Sequence, residues 1–259
     1  MKKTSLYILI ALIAASIIAL WRSTKKGSPA APSVDTIVVG TNAEFQPFAF
    51  KEGDTITGFD IDVITEVFKR LDKKFIIKDM PFDALIPEIQ LGNVQVIVGG
   101  ITPTKERAKR ALFTEPHLTG DSLALISLKS KPINAIQDLY DKTIVVNEGY
   151  TADTYISQLE QKNTMNIIRL SSSLVSDGIL ALQNDRADVF VTALRPLKPY
   201  FDLHGKDNFN IVPIEGTEES SAFAISKHYP DLKDIIQITL DRMQADGTLD
   251  TLKKKWGLS

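Results

Sequence analysis

The chain has 259 residues, 44% of them hydrophobic, 24% charged and 8% aromatic, and it contains no cysteine. This composition excludes a disordered chain, a collagen-like repeat and a multi-pass membrane protein. The missing cysteine excludes disulfides, thiolate metal sites, a cysteine nucleophile and lipid attachment to an N-terminal cysteine. His117, His204 and His228 are far apart and match no metal-ligand spacing, so neither a metal nor any other cofactor is expected. Lys2, Lys3, Arg22, Lys25 and Lys26 fall within residues 1–32, which hold no acid; the remainder is therefore net acidic, and nucleic acid is not an expected partner.

In chain order, Lys2 and Lys3 precede an apolar run from Leu6 to Leu20 broken only by Ser16, the pattern of a secretory signal. Trp21, Arg22, Lys25 and Lys26 resemble the flank of a membrane anchor instead, although the run is short for a span of about 20 residues. Residues 1–33 thus read as a signal peptide or an uncleaved N-terminal anchor, followed by the linker Gly27–Ser33. Both readings place the rest of the chain outside the cytoplasm, periplasmic or extracytoplasmic, and one tethers it there.

After Val34, β-branched runs alternate with helical patterns, which predicts an α/β protein with largely parallel sheet. Strands are expected at 36–39, 75–78, 94–98, 123–128, 143–146, 167–170, 188–191 and 221–225. Helices are expected at 59–71, with Ile61, Ile64, Val67, Phe68 and Leu71 on one face, and at 85–91, 177–182 and 231–243.

Several segments between these elements carry chemistry. After the strand at 94–98, Gly99-Gly100 reads as a tight turn and Thr102 as the N-cap of a helix with Pro103 in its first turn. Free amides at a helix start attract anions, and Arg107, one turn in, can grip a carboxylate with two parallel hydrogen bonds. Read by itself, this is equally an ordinary capped helix with a solvated arginine. A second such unit has Gly149 at the turn and Thr151 as its N-cap. Phe45 and Phe82, each following a strand, are the aromatics expected to line a ligand slot, core packing being the commoner fate of phenylalanine. Glu44 and Glu148 offer a carboxylate beside each half of that slot, although either alone reads equally as a solvated loop residue.

Seven blocks in order, G-x-N-x-x-F-x-P-F (40–48), GFDIDVI (58–64), FDALIP (82–87), GGITxTxER (99–107), EGYT (148–151), RADVF (186–190) and GTLDTLKKKW (247–256), resemble the polar amino-acid-binding proteins of ABC importers, solute-binding protein family 3. Within that family the chain looks most like the arginine-binding periplasmic proteins. The resemblance implies a two-lobed periplasmic binding protein-like α/β fold of type II, with the lobes joined by two crossover strands at 123–128 and 221–226. Lobe one would hold residues 34–124 and 223–259, and lobe two 125–222. It also implies a monomeric binding protein, not an enzyme, that delivers a free amino acid, L-arginine above all, to an ABC permease of the inner membrane. By position, Phe45 and Phe82 would sandwich the ligand, Gly100 and Thr102 would supply backbone and hydroxyl contacts, and Arg107 and Thr151 would hold the α-carboxylate. Asn42 would meet the ligand side chain. One position departs from the pattern. Ala193 stands where the family places an acid for the ligand's α-ammonium, leaving Glu218 and Glu219 as the nearest substitutes in sequence. The alternative is a dehydratase on the same fold, for which Glu44 or Glu148 would serve as the acid.

Overall fold

The computed structural model describes residues 36–161 and 164–259. The expected signal or anchor and its linker lie outside them. Fifteen strands occur among the described residues: β1 (Ile37–Thr41), β2 (Glu44–Phe45), β3 (Ala49–Glu52), β4 (Thr55–Thr57), β5 (Phe75–Asp79), β6 (Val96–Ile97), β7 (Leu112–Phe113), β8 (Leu118–Asp121), β9 (Leu123–Leu128), β10 (Thr143–Asn147), β11 (Asn166–Leu170), β12 (Val189–Ala193), β13 (Phe209–Pro213), β14 (Glu219–Ser221) and β15 (Ala224–Ile225). The α-helices are α1 (Phe59–Arg70), α2 (Phe82–Leu91), α3 (Lys105–Ala108), α4 (Thr151–Glu160), α5 (Val175–Gln183), α6 (Leu197–His204), α7 (Pro230–Ala245) and α8 (Thr248–Lys255).

Two five-stranded sheets organise the chain, in the orders β5-β1-β6-β15-β7 and β11-β10-β12-β9-β13. Each has a parallel part built from βαβ units: β1 pairs with β5 and β6, and β10 with β11 and β12. Antiparallel strands complete each sheet, β15 beside β6 and β7, and β9 beside β12 and β13. The central parallel strands β1, β6, β10 and β12 are mostly apolar and buried, as strands covered on both faces are, whereas the edge strand β5 leaves Ile76 exposed.

On the first sheet, α1 buries Phe59, Ile61, Val63, Ile64, Val67 and Phe68. Fully burying side chains of this size is worth about 1.5–3 kcal/mol each. On the second, α5 lies close to β12 because residue 178 is glycine. A Cβ there would stand 2.6 Å from the Phe190 ring, closer than any packed core tolerates.

A two-stranded antiparallel ribbon of β8 and β14, with Asp121 opposite Glu219 and Leu118 opposite Ser221, connects the two sheets. The strand expected at 221–225 is therefore two strands, β14 in the ribbon and β15 in the first sheet. The strand at 123–128, expected as a crossover, is wholly a member of the second sheet: its Leu123 and Ala124 already pair with Ala193 and Thr192. The meander β2-β3-β4 and the elements β7, β8, β13, α6 and α8 were not anticipated in the sequence. Among the described residues, no helix is long and apolar enough to cross a membrane.

Candidate functional site

Parallel strands of α/β layers present their C-terminal ends, and the loops leaving them, to a common crevice. Here the loops after β1, β5 and β6 face those after β10 and β12, with the ribbon as floor. The loop after β6 is shaped by Asp60, the second residue of α1. Its Oδ2 accepts from the Gly99 and Gly100 amides at 3.0 and 2.7 Å and from Ser221 Oγ at 2.8 Å, and its Oδ1 lies 2.9 Å from His117 Nε2. Burial alone would raise this carboxyl, but His117, the Gly100 amide and the Ser221 hydroxyl together hold it below its ordinary value. Gly100 takes φ 72°, and a Cβ there would stand 2.9 Å from Phe45 Cε1, so only glycine lets this turn meet the aromatic wall.

Beyond the turn the helix begins later than its sequence suggests. Thr104, not Thr102, is the N-cap of α3, its hydroxyl accepting from the Arg107 amide at 3.1 Å. Thr102 is thereby freed to turn its hydroxyl toward the crevice. In the second unit Tyr150 occupies the N-cap position of α4 and Thr151 is its first helical residue. Tyrosine cannot cap with its side chain, and instead Asp153 Oδ2 accepts from the Gly149 amide at 3.0 Å.

The crevice is lined by Phe45, Phe82, Gly100, Thr102, Arg107 and Thr151, all six expected there, and encloses about 490 Å³ including the part continuous with solvent. Arg107 donates from Nη1 to the Thr102 carbonyl at 3.0 Å and from Nη2 to the Gly149 carbonyl at 3.1 Å, linking the loops of the two sheets. Its guanidinium carbon lies 5.2 Å from the Phe82 ring centroid. Burial pulls its pKa below the ordinary arginine value, opposed by the negative charge of Glu219. Both Thr102 and Thr151 donate their hydroxyls to Glu219 Oε2, at 2.8 and 2.9 Å. Glu219 is raised by burial, against the pull of those hydroxyls and of Arg107. Asp121, opposite it, is likewise raised by burial, although the amides of Ser122 and Arg195 bond to it.

Three expected site residues are not brought to the crevice. Asn42 is buried behind it, its Nδ2 donating to the Met80 carbonyl at 3.3 Å. Glu44 turns its carboxylate to the Ser173 amide at 3.0 Å. Glu148 is exposed outside the lining. The acids that do line the space are Asp121 and Glu219, and Ala193 adds only a methyl group.

Sequence reasoning missed several lining residues, among them Asp121, Thr192, Arg195 and, most consequential for the slot, Tyr150. Its ring stacks on Phe82 at 3.9 Å between centroids and tilts against Phe45 at 5.2 Å, filling the slot between them. Burial raises its hydroxyl well above the ordinary tyrosine value. Among the described residues, no group of three or more His, Asp or Glu is arranged to hold a metal ion.

The profile of the bacterial extracellular solute-binding proteins, family 3, matches residues 37–259. The chain belongs to that family. It is 30% identical over 253 residues to the arginine-binding extracellular protein ArtP of Bacillus subtilis (strain 168), covering 96% of both chains. It is 29% identical over 231 residues to a probable histidine-binding protein of Campylobacter jejuni, covering 86% of this chain and 85% of the relative. An ancestral arginine-binding protein bound to arginine matches it with a TM-score of 0.79 at 29% identity, over 86% of this chain and 98% of that one. The architecture of this family-3 chain is accordingly the two-lobed periplasmic binding protein fold, and its place of action is outside the cytoplasm.

Proposed function

We propose that this solute-binding protein captures a free amino acid between its lobes, L-arginine before other cationic amino acids, and hands it to an ABC permease without chemical change. The observation that carries this is the half-buried Arg107 flanked by the Thr102 and Thr151 hydroxyls, a seat for a carboxylate with donors from both lobes. Gly100 supplies backbone to that seat, and Phe45 and Phe82 flank the ligand side chain once the Tyr150 ring has turned out of the slot. The lobes hinge at the β8/β14 ribbon, so each boundary falls there and not inside β9. The protein works as a monomer, and an uncut N-terminus would tether it; terminal sequencing of the native protein distinguishes the tethered from the released form.

The preference for arginine is supported by the relatives and by the net acidic charge of the chain after residue 32. Local geometry supports it less, because Glu44 and Glu148, the carboxylates expected to meet a cationic side chain, lie outside the lining. Asn42, behind the crevice wall, would act on the ligand only through the Met80 loop. Capture is favoured over a dehydratase for the same reason: neither Glu44 nor Glu148 faces the space where a substrate would lie, and incubation with prephenate or arogenate should yield no product.

Calorimetry with a panel of L-amino acids tests the reading. Arg107→Ala should cost at least about 2 kcal/mol of binding, the scale for losing one partner of a desolvated charge pair. Arg107→Lys should recover little, because an ammonium cannot reproduce the two-pronged contact. Undiminished affinity in a folded Arg107→Ala protein would remove the carboxylate seat. A larger thermal shift with histidine or cystine than with arginine would reassign the ligand and leave capture standing.

A further inference from the structure

Every α-amino acid brings an ammonium next to its carboxylate, and a crevice that buries both must neutralise both. Position 193 is alanine, so β12, which lines the crevice with Thr192 and Ala193, supplies no carboxylate for the ammonium. We infer that Glu219, in the connecting ribbon, is the residue that binds the ligand's α-ammonium and sets the requirement for an amino acid; this rests on the capture reading above.

Four observations lead there. Glu219 Oε2 already sits on the Thr102 and Thr151 hydroxyls, at 2.8 and 2.9 Å, the seat assigned to the ligand carboxylate. An incoming carboxylate displaces it from those hydroxyls. The ammonium is bonded to the same carbon as that carboxylate, so the displaced Glu219 has only to turn about its own side-chain bonds to meet it. Secondly, Glu219 stands directly opposite Asp121 in the ribbon, and like charges so placed are unfavourable until a cation joins them. Thirdly, the other acids are committed or remote. Asp121 is held by the Ser122 and Arg195 amides, Glu44 by the Ser173 amide, and Glu218 and Glu148 are exposed. Fourthly, the lining charges are Arg107 and Arg195 against Asp121 and Glu219, a balance that a zwitterionic head group leaves undisturbed and a simple carboxylic acid does not.

The test compares each amino acid with its deamino analogue on one protein: L-arginine with δ-guanidinovalerate, and L-histidine with imidazolepropionate. The wild type should prefer an amino acid over its analogue by about 30-fold or more, the scale for a desolvated charge pair. Glu219→Gln should shrink that ratio by at least about tenfold on the same scale. Glu218→Gln should leave it unchanged. Adding Ala193→Asp to Glu219→Gln should restore it, because the acid returns from β12. The ratio compares two affinities of one variant, so it does not depend on how much of that variant is folded. If the wild type binds neither amino acid, the capture reading and this inference fall together. If it binds one and Glu219→Gln keeps the full preference, or Asp121→Asn alone removes it, only this inference falls.

Discussion

Asp60 and Glu219 are both carboxylates withdrawn from water at the ribbon between the lobes, and Ser220 alone separates Glu219 from the Ser221 that bonds to Asp60. Their pKa values move in opposite directions, Asp60 down and Glu219 up. Depth of burial does not explain this, since Asp60 is the more deeply buried and is the one whose pKa is lowered. The donors explain it. Asp60 meets two backbone amides that cannot turn away, a serine hydroxyl and an imidazole nitrogen, a fixed set that replaces its water. Glu219 meets two threonine hydroxyls, of which that of Thr102 also lies 2.9 Å from the Ser220 carbonyl, and an acid lies opposite it. One carboxylate is a structural joint held by fixed backbone donors; the other is held by side-chain hydroxyls alone.

The largest effect expected from this contrast is on Asp60→Asn, whose amide nitrogen would face backbone donors. Unfolding by urea should show a loss of about 3–5 kcal/mol, the scale for breaking a buried ionic cluster. A loss no greater than that of a surface substitution would mean that the joint is not structural.

The next effect is on the pH dependence of stability without ligand, and here the two signs oppose. Asp60, with a folded pKa below its ordinary 3.8, contributes stability that is complete above that value and is lost as the pH falls through the folded pKa. Glu219, with a folded pKa above its ordinary 4.5, carries a cost that is complete above the folded pKa and is relieved as the pH falls from there toward 4.5. Asp121 acts in the same sense from 3.8. The melting temperature should therefore rise on acidification from neutrality before it falls, and Glu219→Gln should flatten the rise. A monotonic fall in the wild type would contradict the contrast.

The smallest effect is expected for Glu44→Gln. This carboxylate meets the amide of the buried Ser173 outside the crevice lining, and an amide oxygen can accept the same bond, so stability should change by less than about 1 kcal/mol.

The fold was legible in the sequence where strands are buried on both faces, because Ile37–Val39 and Ile144–Val146 admit no reading as surface loop. It was illegible in β7, β8 and β13, which are short or edge-lying, although the edge strands β5 and β11 were readable from their paired isoleucines. The β13 strand ends in Pro213, and the meander at residues 44–57 carries polar residues and turns that mimic a loop. The wall made by Phe45, Phe82, Thr102, Arg107 and Thr151 was readable because strand-end loops converge in any such sheet. Tyr150 was not, since it leaves its own lobe to pack with Phe45 in the core of the other, a long-range contact with no local signature. Between Glu218 and Glu219 the sequence offers no choice. Successive strand residues face opposite ways, and only the register of β14 on β8 sends the second inward.

The place of β15 in the first sheet bears on the order in which the chain becomes structured as it is made. All five strands of the second sheet lie between Leu123 and Pro213 without interruption. The first sheet begins at Ile37 but gains β15, which joins β6 to β7, only when Ile225 has been synthesised, and α7 and α8 follow later still. Trp256 closes that lobe by donating its indole nitrogen to Asp62 at 2.7 Å and meeting the Phe50 ring edge-on. On a growing chain the inserted lobe is thus complete in sequence while the lobe that encloses it still lacks strand and cover, so residues 224–256 decide when the crevice first exists.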